Sequence, residues 1–232
     1  MVLLWKRHAR GHFPIFFSYT LAGLVATLAR LLSAWDYTTY FYVYWTSEAL
    51  LIVLGLAATH EVFRWVYEGF YSVPWFRVFY FGGIALVLLI TVRNALLYPP
   101  VEAHPLIGMI LDVGSSANLV RLSIVALFAV LIKPLNIEFR RYPFGIAAGF
   151  GLISLITLTG YLVRSEFGTK FNTFTQNAAA VAYLVGLIVW VGAFHRPEKA
   201  DEDWTPPMPP EEMLRVVRGY LAVLRLSRKG RQ

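Results

Sequence analysis

From Phe13 onward the chain alternates long apolar runs with short polar interruptions. The runs cover residues 13–35, 39–68, 75–98, 105–133, 143–164 and 173–195. Each is long enough to cross about 30 Å of hydrocarbon as a helix, which takes roughly 20 residues. Pro74, the Pro99-Pro100 pair, Pro105 and Pro143 sit at the proposed ends, where proline opens a helix or stops one. The pattern predicts an all-α fold: a polytopic membrane helical bundle of six transmembrane helices spanning residues 1–195.

The two ends of the chain add detail. Met1 to Trp5 is a short apolar stretch ahead of Lys6, Arg7 and Arg10. It reads either as an interfacial segment or as the inner end of an earlier helix, which would make seven if the start lies upstream. The run from Phe13 is too long and aromatic for a signal peptide and lacks an A-x-A-like exit, so a membrane helix is expected there.

Residues 196–210 are acidic and proline-rich, the composition of a solvated linker. Across residues 211–232, Met213, Leu214, Val216, Val217, Tyr220, Leu221, Val223 and Leu224 recur at helical spacing opposite Arg215, Arg218 and Arg225. This predicts a basic amphipathic cytoplasmic helix. It would lie on anionic lipid or dock on a partner protein.

Composition agrees with a bilayer setting. Of 232 residues, 57% are hydrophobic and 15% charged, with mean hydropathy +0.56, too apolar for an ordinary soluble domain. Cysteine is absent, which excludes disulfides, thiolate metal sites and a cysteine nucleophile. The net charge of +7 is carried by short loops and the tail, as topology determinants are, so nucleic acid is not expected as a partner.

Lys6, Arg7, Arg10, Arg64, Arg77, Lys133, Arg140 and Arg141 fall on one side, against Arg93, Arg164 and Lys170 on the other. Both termini of a six-helix chain are therefore expected in the cytoplasm. No internal repeat is evident, which counts against an inverted-repeat transporter.

Ionisable residues within membrane helices are costly, and so they are functional candidates. Counting from the outer ends, Arg30 and Arg93 lie roughly 7 Å deep and Glu48 and Asp112 roughly 10–13 Å deep. Glu48 shares a face with Tyr44, Gly55 and Thr59, and Asp112 lies beside Ser115 and Ser116. Asn94 and Thr175-Gln176-Asn177 add neutral polar groups at similar depth.

Such a layer suits a small polar ligand, a cation or a proton, in a sensor or carrier. The alternative is a set of structural ion pairs in a non-catalytic scaffold or accessory subunit. Arg121 is the sixth candidate with Tyr44, Glu48, Asp112, Arg30 and Arg93. It lies mid-membrane on the face of Asn118, and Glu61 or a backbone carbonyl is its expected mate.

No enzyme motif is present. There is no G-x-x-x-x-G-K-[ST] and no G-x-S-x-G, and the last apolar run has no lysine for a retinal Schiff base. His60-Glu61-Val-Phe-Arg64 has arginine where a zincin needs its second histidine. His12, His60 and His195 fall near the cytoplasmic interface, where an amphipathic ring sits comfortably. Neither a metal nor a cofactor is assigned.

Gly145 and Gly149 form a G-x-x-x-G, and Ala178, Ala182 and Gly186 keep the same spacing. The fifth and sixth helices are thus expected to be close neighbours with little polar function. The charged layer is assigned to the first four.

Overall fold

The computed structural model describes residues 9–71, 74–97, 105–133, 137, 139–167 and 172–195, with 211, 212, 214–216, 218 and 219 in the tail. Every element among the described residues is helical. The six long helices are α1 (Pro14–Leu32), α2 (Tyr37–Val66), α3 (Pro74–Leu97), α4 (Pro105–Ile132), α5 (Arg141–Phe167) and α6 (Asn172–His195). Single turns precede α1 at Ala9–His12 and follow α2 at Glu68–Tyr71.

Five spans are long and apolar enough to cross a membrane: Pro14–Leu32, Tyr37–Val66, Asp112–Ile132, Arg141–Gly160 and Asn177–His195. The apolar stretch of α3, Phe76–Val87, is shorter. Many large apolar side chains face outward, among them Leu28 and Leu31 on α1 and Leu184 and Ile188 on α6. By length and composition this fits a multi-pass membrane protein.

Local chemistry explains the helix ends. Pro14, Pro74 and Pro105 are first residues of their helices, where the missing N–H costs nothing. The first helix stops at Leu32 rather than at residue 35, with the Ser33 N–H closing onto the carbonyls of Ala29 and Leu31. The second begins at Tyr37 rather than residue 39 because the Asp36 carboxylate accepts from the Thr39 N–H, an N-cap bond. The Thr39 hydroxyl donates to the same carboxylate.

The start of α1 is capped from a distance. Pro14 has no N–H, and the next two are taken by one side chain: Glu61 Oε1 accepts from Ile15 and Oε2 from Phe16, both at 2.9 Å. The regular ladder then begins with Phe17 N–H donating to Phe13 O. A carboxylate at the positive end of the helix dipole is favourable as well. Glu61 therefore ties the last turns of α2 to the base of α1.

The helices form an open arc. Close pairings run α1 with α2, α2 with α4 and α5, α4 with α5, and α5 with α6, while α3 packs on α4. The ends of the arc, α1 and α6, are not among the closely packed pairs. The α5–α6 contact is the most extensive and depends on small residues. A Cβ on Gly145 would collide with Ala193, one on Gly149 with the Trp190 indole, and one on Gly186 with Ile153. The predicted proximity of these two helices holds.

The largest fully buried side chains gather at one end of the bundle. Phe13, Phe16, Phe63, Tyr67, Tyr142, Phe150 and Phe194 all lie there. Phe16 meets the rings of Phe150, Trp190 and Phe194, so α1 and α6 touch through side chains at this closed end. At the Asp36 end, by contrast, Trp35, Tyr37, Tyr40 and Tyr42 are exposed.

In the tail, Leu214 and Val216 are half-buried and Arg215 and Arg218 exposed, and Val216 packs against the core. The expected linker at 196–210 and amphipathic positions 213, 217 and 220–232 lie outside the described residues.

Candidate ligand site between α1, α2 and α6

Arg30 and Glu48 meet because their helices run antiparallel. Side chains lean toward the N-terminus of their own helix, so Arg30 leans away from the Asp36 end of the bundle and Glu48 toward it. Arg30 Nη2 reaches Glu48 Oε2 at 3.0 Å. Arg30 also donates from Nε and Nη2 to Ser47 Oγ, at 2.9 and 2.7 Å, and from Nη2 to the Tyr44 carbonyl at 3.4 Å.

The guanidinium carbon stands 4.3 Å over the Tyr44 ring, a cation–π contact. Neither charge is sealed: the Arg30 side chain is 24% exposed and that of Glu48 37%. None of these bonds uses Arg30 Nη1 or Glu48 Oε1.

The exposed side of this pair forms one end of a cavity of about 800 Å³. The cavity occupies the gap in the arc, with α1 and α6 as its walls and Glu48, Tyr44 and Leu51 of α2 as its back. Phe16, Trp190 and Phe194 close its far end. Between the two ends the lining is mainly apolar, interrupted by Thr20, Thr27 and the Tyr183 ring.

Gly23 leaves room for Tyr183, since a Cβ there would lie 2.8 Å from Tyr183 Oη. A volume of this size is in the range of about 300–1,000 Å³ that small-molecule sites occupy.

The remaining candidates are dispersed. Arg93 and Asp112 are exposed and do not line the cavity. The side chains of Asn94, Thr175 and Gln176 lie outside the described residues. The four-charge layer expected from depth is thus represented at the cavity by Arg30 and Glu48. The sixth helix, expected to have little polar function, supplies one whole wall.

Arg121 is 4% exposed and sits behind the site. Nη1 donates to Asn118 Oδ1 at 3.1 Å, and that oxygen also accepts from Ser154 Oγ at 3.2 Å. The guanidinium lies over the Phe150 ring and against Gly55, where a Cβ would overlap Nη2. Its Nε has no hydrogen-bond partner among the described residues. Glu61, the mate expected from the sequence, is held instead by the N-terminus of α1.

His60 is engaged with tyrosines. Its Nδ1 is 3.1 Å from Tyr80 Oη and 3.3 Å from Tyr71 Oη.

Sequence reasoning missed three contributors. Ser47 was legible as the polar neighbour of Glu48. Tyr183 and Trp190 carry no such signal, because aromatic residues in an apolar helix look alike whether they face a cavity or lipid.

Comparison with known protein families, curated proteins and solved structures returns no match for this chain. The functional reading consequently rests on the geometry of the site.

Proposed function

We propose that the protein is an integral membrane sensor or carrier for a small ligand, with six spans, both termini in the cytoplasm and the site in the outer half of the bundle. The observation that carries this reading is the cavity that ends on the partly exposed Arg30–Glu48 pair. A purely structural ion pair needs no adjoining space. Here both charged residues line a volume large enough for a molecule. The tail belongs on the cytoplasmic face, where its basic side meets anionic lipid or a partner protein.

The test is ligand-dependent thermal stability of the reconstituted protein against ammonium, guanidinium, acetate, phosphate and single-chain lipids. At least one should raise the Tm of the wild type. Glu48→Gln and Arg30→Gln should abolish that rise, read against each variant's own Tm without ligand. If every shift survives both substitutions, the site is not where the ligand binds.

The absence of cysteine allows single introduced cysteines to report topology without background labelling.

The internal satisfaction of Arg30 by Ser47, Tyr44 and Glu48 favours a second reading, a non-catalytic scaffold or accessory subunit with structural charges. In that case Glu48→Gln disrupts assembly with partner proteins and no ligand shift is seen.

A further inference from the structure

The cavity has a shape that says more than its volume. It runs along α1 from Phe16 to Arg30, fourteen residues apart, and so is about 21 Å long. An ion or a compact polar solute would occupy only the Arg30 end and leave the rest an apolar void. A hydrocarbon chain fills the length.

The walls agree, for Leu24, Leu184 and Val191 line the cavity while remaining about half exposed to the outside of the bundle. In a bilayer that outside is lipid. Because α1 and α6 are not closely packed, the cleft opens sideways between them. Its depth at the far end is limited by Phe16 and Trp190, whose rings meet at 5.1 Å.

The polar end specifies the head. Arg30 and Glu48 neutralise each other, so the site as a pair attracts neither a bare anion nor a bare cation strongly. It offers a donor at Arg30 Nη1 and an acceptor at Glu48 Oε1, neither used in the bonds among Arg30, Ser47, Tyr44 and Glu48. A head bearing both signs matches both groups without breaking the 3.0 Å pair.

From these features we infer that the ligand is a single-chain zwitterionic amphiphile entering from the lipid between α1 and α6, its anionic group at Arg30, its ammonium at Glu48 and its chain reaching toward Phe16. This rests on the proposed function and specifies its ligand.

The experiment uses the full chain in phosphatidylcholine nanodiscs with a lysophosphatidylethanolamine bearing a diazirine near the end of its chain. After illumination, label should concentrate on peptides of α1 and α6 and be competed by unlabelled lysophosphatidylethanolamine. Filling the cleft with Leu187→Trp, or with Ala180→Phe should the first variant fold poorly, should cut labelling at least fivefold. Arg30→Gln and Glu48→Gln should each reduce it severalfold.

Labelling spread evenly over the lipid-facing surfaces of α2, α3 and α5 would overturn the inference. So would equal labelling by a chain with a plain hydroxyl head. Should the chain probe fail while acetate or guanidinium still protects the wild type and not Glu48→Gln, the ligand site stands and only its lipid assignment falls.

Discussion

Helix α6 has two faces that solve opposite problems. Toward α5 it is interlocked, with Trp190 lying across Gly149 and donating from Nε1 to the Ile146 carbonyl at 3.3 Å. Toward α1 it leaves a cleft bridged by Tyr183 at Gly23 and closed only at the Phe16 end. Both faces use glycine, so small residues alone do not distinguish a tight interface from a cavity. The difference lies in what approaches them: on α5 a complementary side chain fills the space that glycine vacates, whereas on α1 the space continues past Tyr183 to a charged pair. In lipid, apolar surface gains little by leaving its surroundings, and close fit is what holds helices together.

The comparison breaks most directly at Gly149. Gly149→Leu drives a side chain into the Trp190 indole and is expected to cost about 1–3 kcal/mol or more, read as a fall in the unfolding midpoint of the reconstituted protein. Gly192→Leu is the control, since nothing stands within 4 Å of a Cβ at Gly192. Equal effects at the two positions would mean that α5 and α6 are not interlocked as described.

An effect of comparable size is expected at the base of α1. Glu61→Ala removes the acceptor for two helix N–H groups and leaves them without a protein partner, and hydrogen bonds to a charged group are worth about 1.5–3 kcal/mol. Amide exchange at Ile15 and Phe16 should accelerate, with the α5–α6 interface unaffected. Glu61→Gln, which keeps one carbonyl oxygen, should lie between. Unchanged exchange would show that α1 is held by ring packing alone.

The smallest effect concerns the open end. Asp36 is exposed, and hydrogen bonds from the Thr39 hydroxyl and then the Thr39 N–H hold its carboxyl below the usual carboxylate range. A depressed carboxylate contributes stability above its unfolded value and loses that contribution as pH falls through the folded one. The first turn of α2 should therefore fray only below about pH 4. Thr39 amide exchange is the readout, and Asp36→Ala should abolish this pH dependence while leaving the cavity intact.

Legibility differed by level. The extents of the helices follow from apolar runs and prolines, which act locally, and residues 105–133 were predicted within one residue of the observed α4. The observed α5, from Arg141 to Phe167, is longer than its apolar run because helix geometry tolerates polar residues at its ends. Glu48 and Arg30 stood out because an ionised group is expensive in hydrocarbon wherever it falls. Depth estimates placed Arg93 and Asp112 beside them, since depth is a single coordinate and carries no information on azimuth.

Two further assignments required the assembled chain. The acceptor role of Glu61 has no side-chain signature, as its partners are backbone N–H groups 45 and 46 residues away. The partner of Arg121 likewise depends on how α2, α4 and α5 come together around Gly55 and Phe150.

By itself the sequence determined an all-helical chain with membrane-length apolar spans, and the charged residues those spans must accommodate. These are properties of periodicity, proline placement and solvation, each felt within one helix. The tertiary structure decided which charges meet, that α6 rather than α3 walls the cavity, and that the arc stays open between α1 and α6. Those outcomes depend on the fit between surfaces far apart in the chain, where moving one ring against one glycine changes which helices can be neighbours.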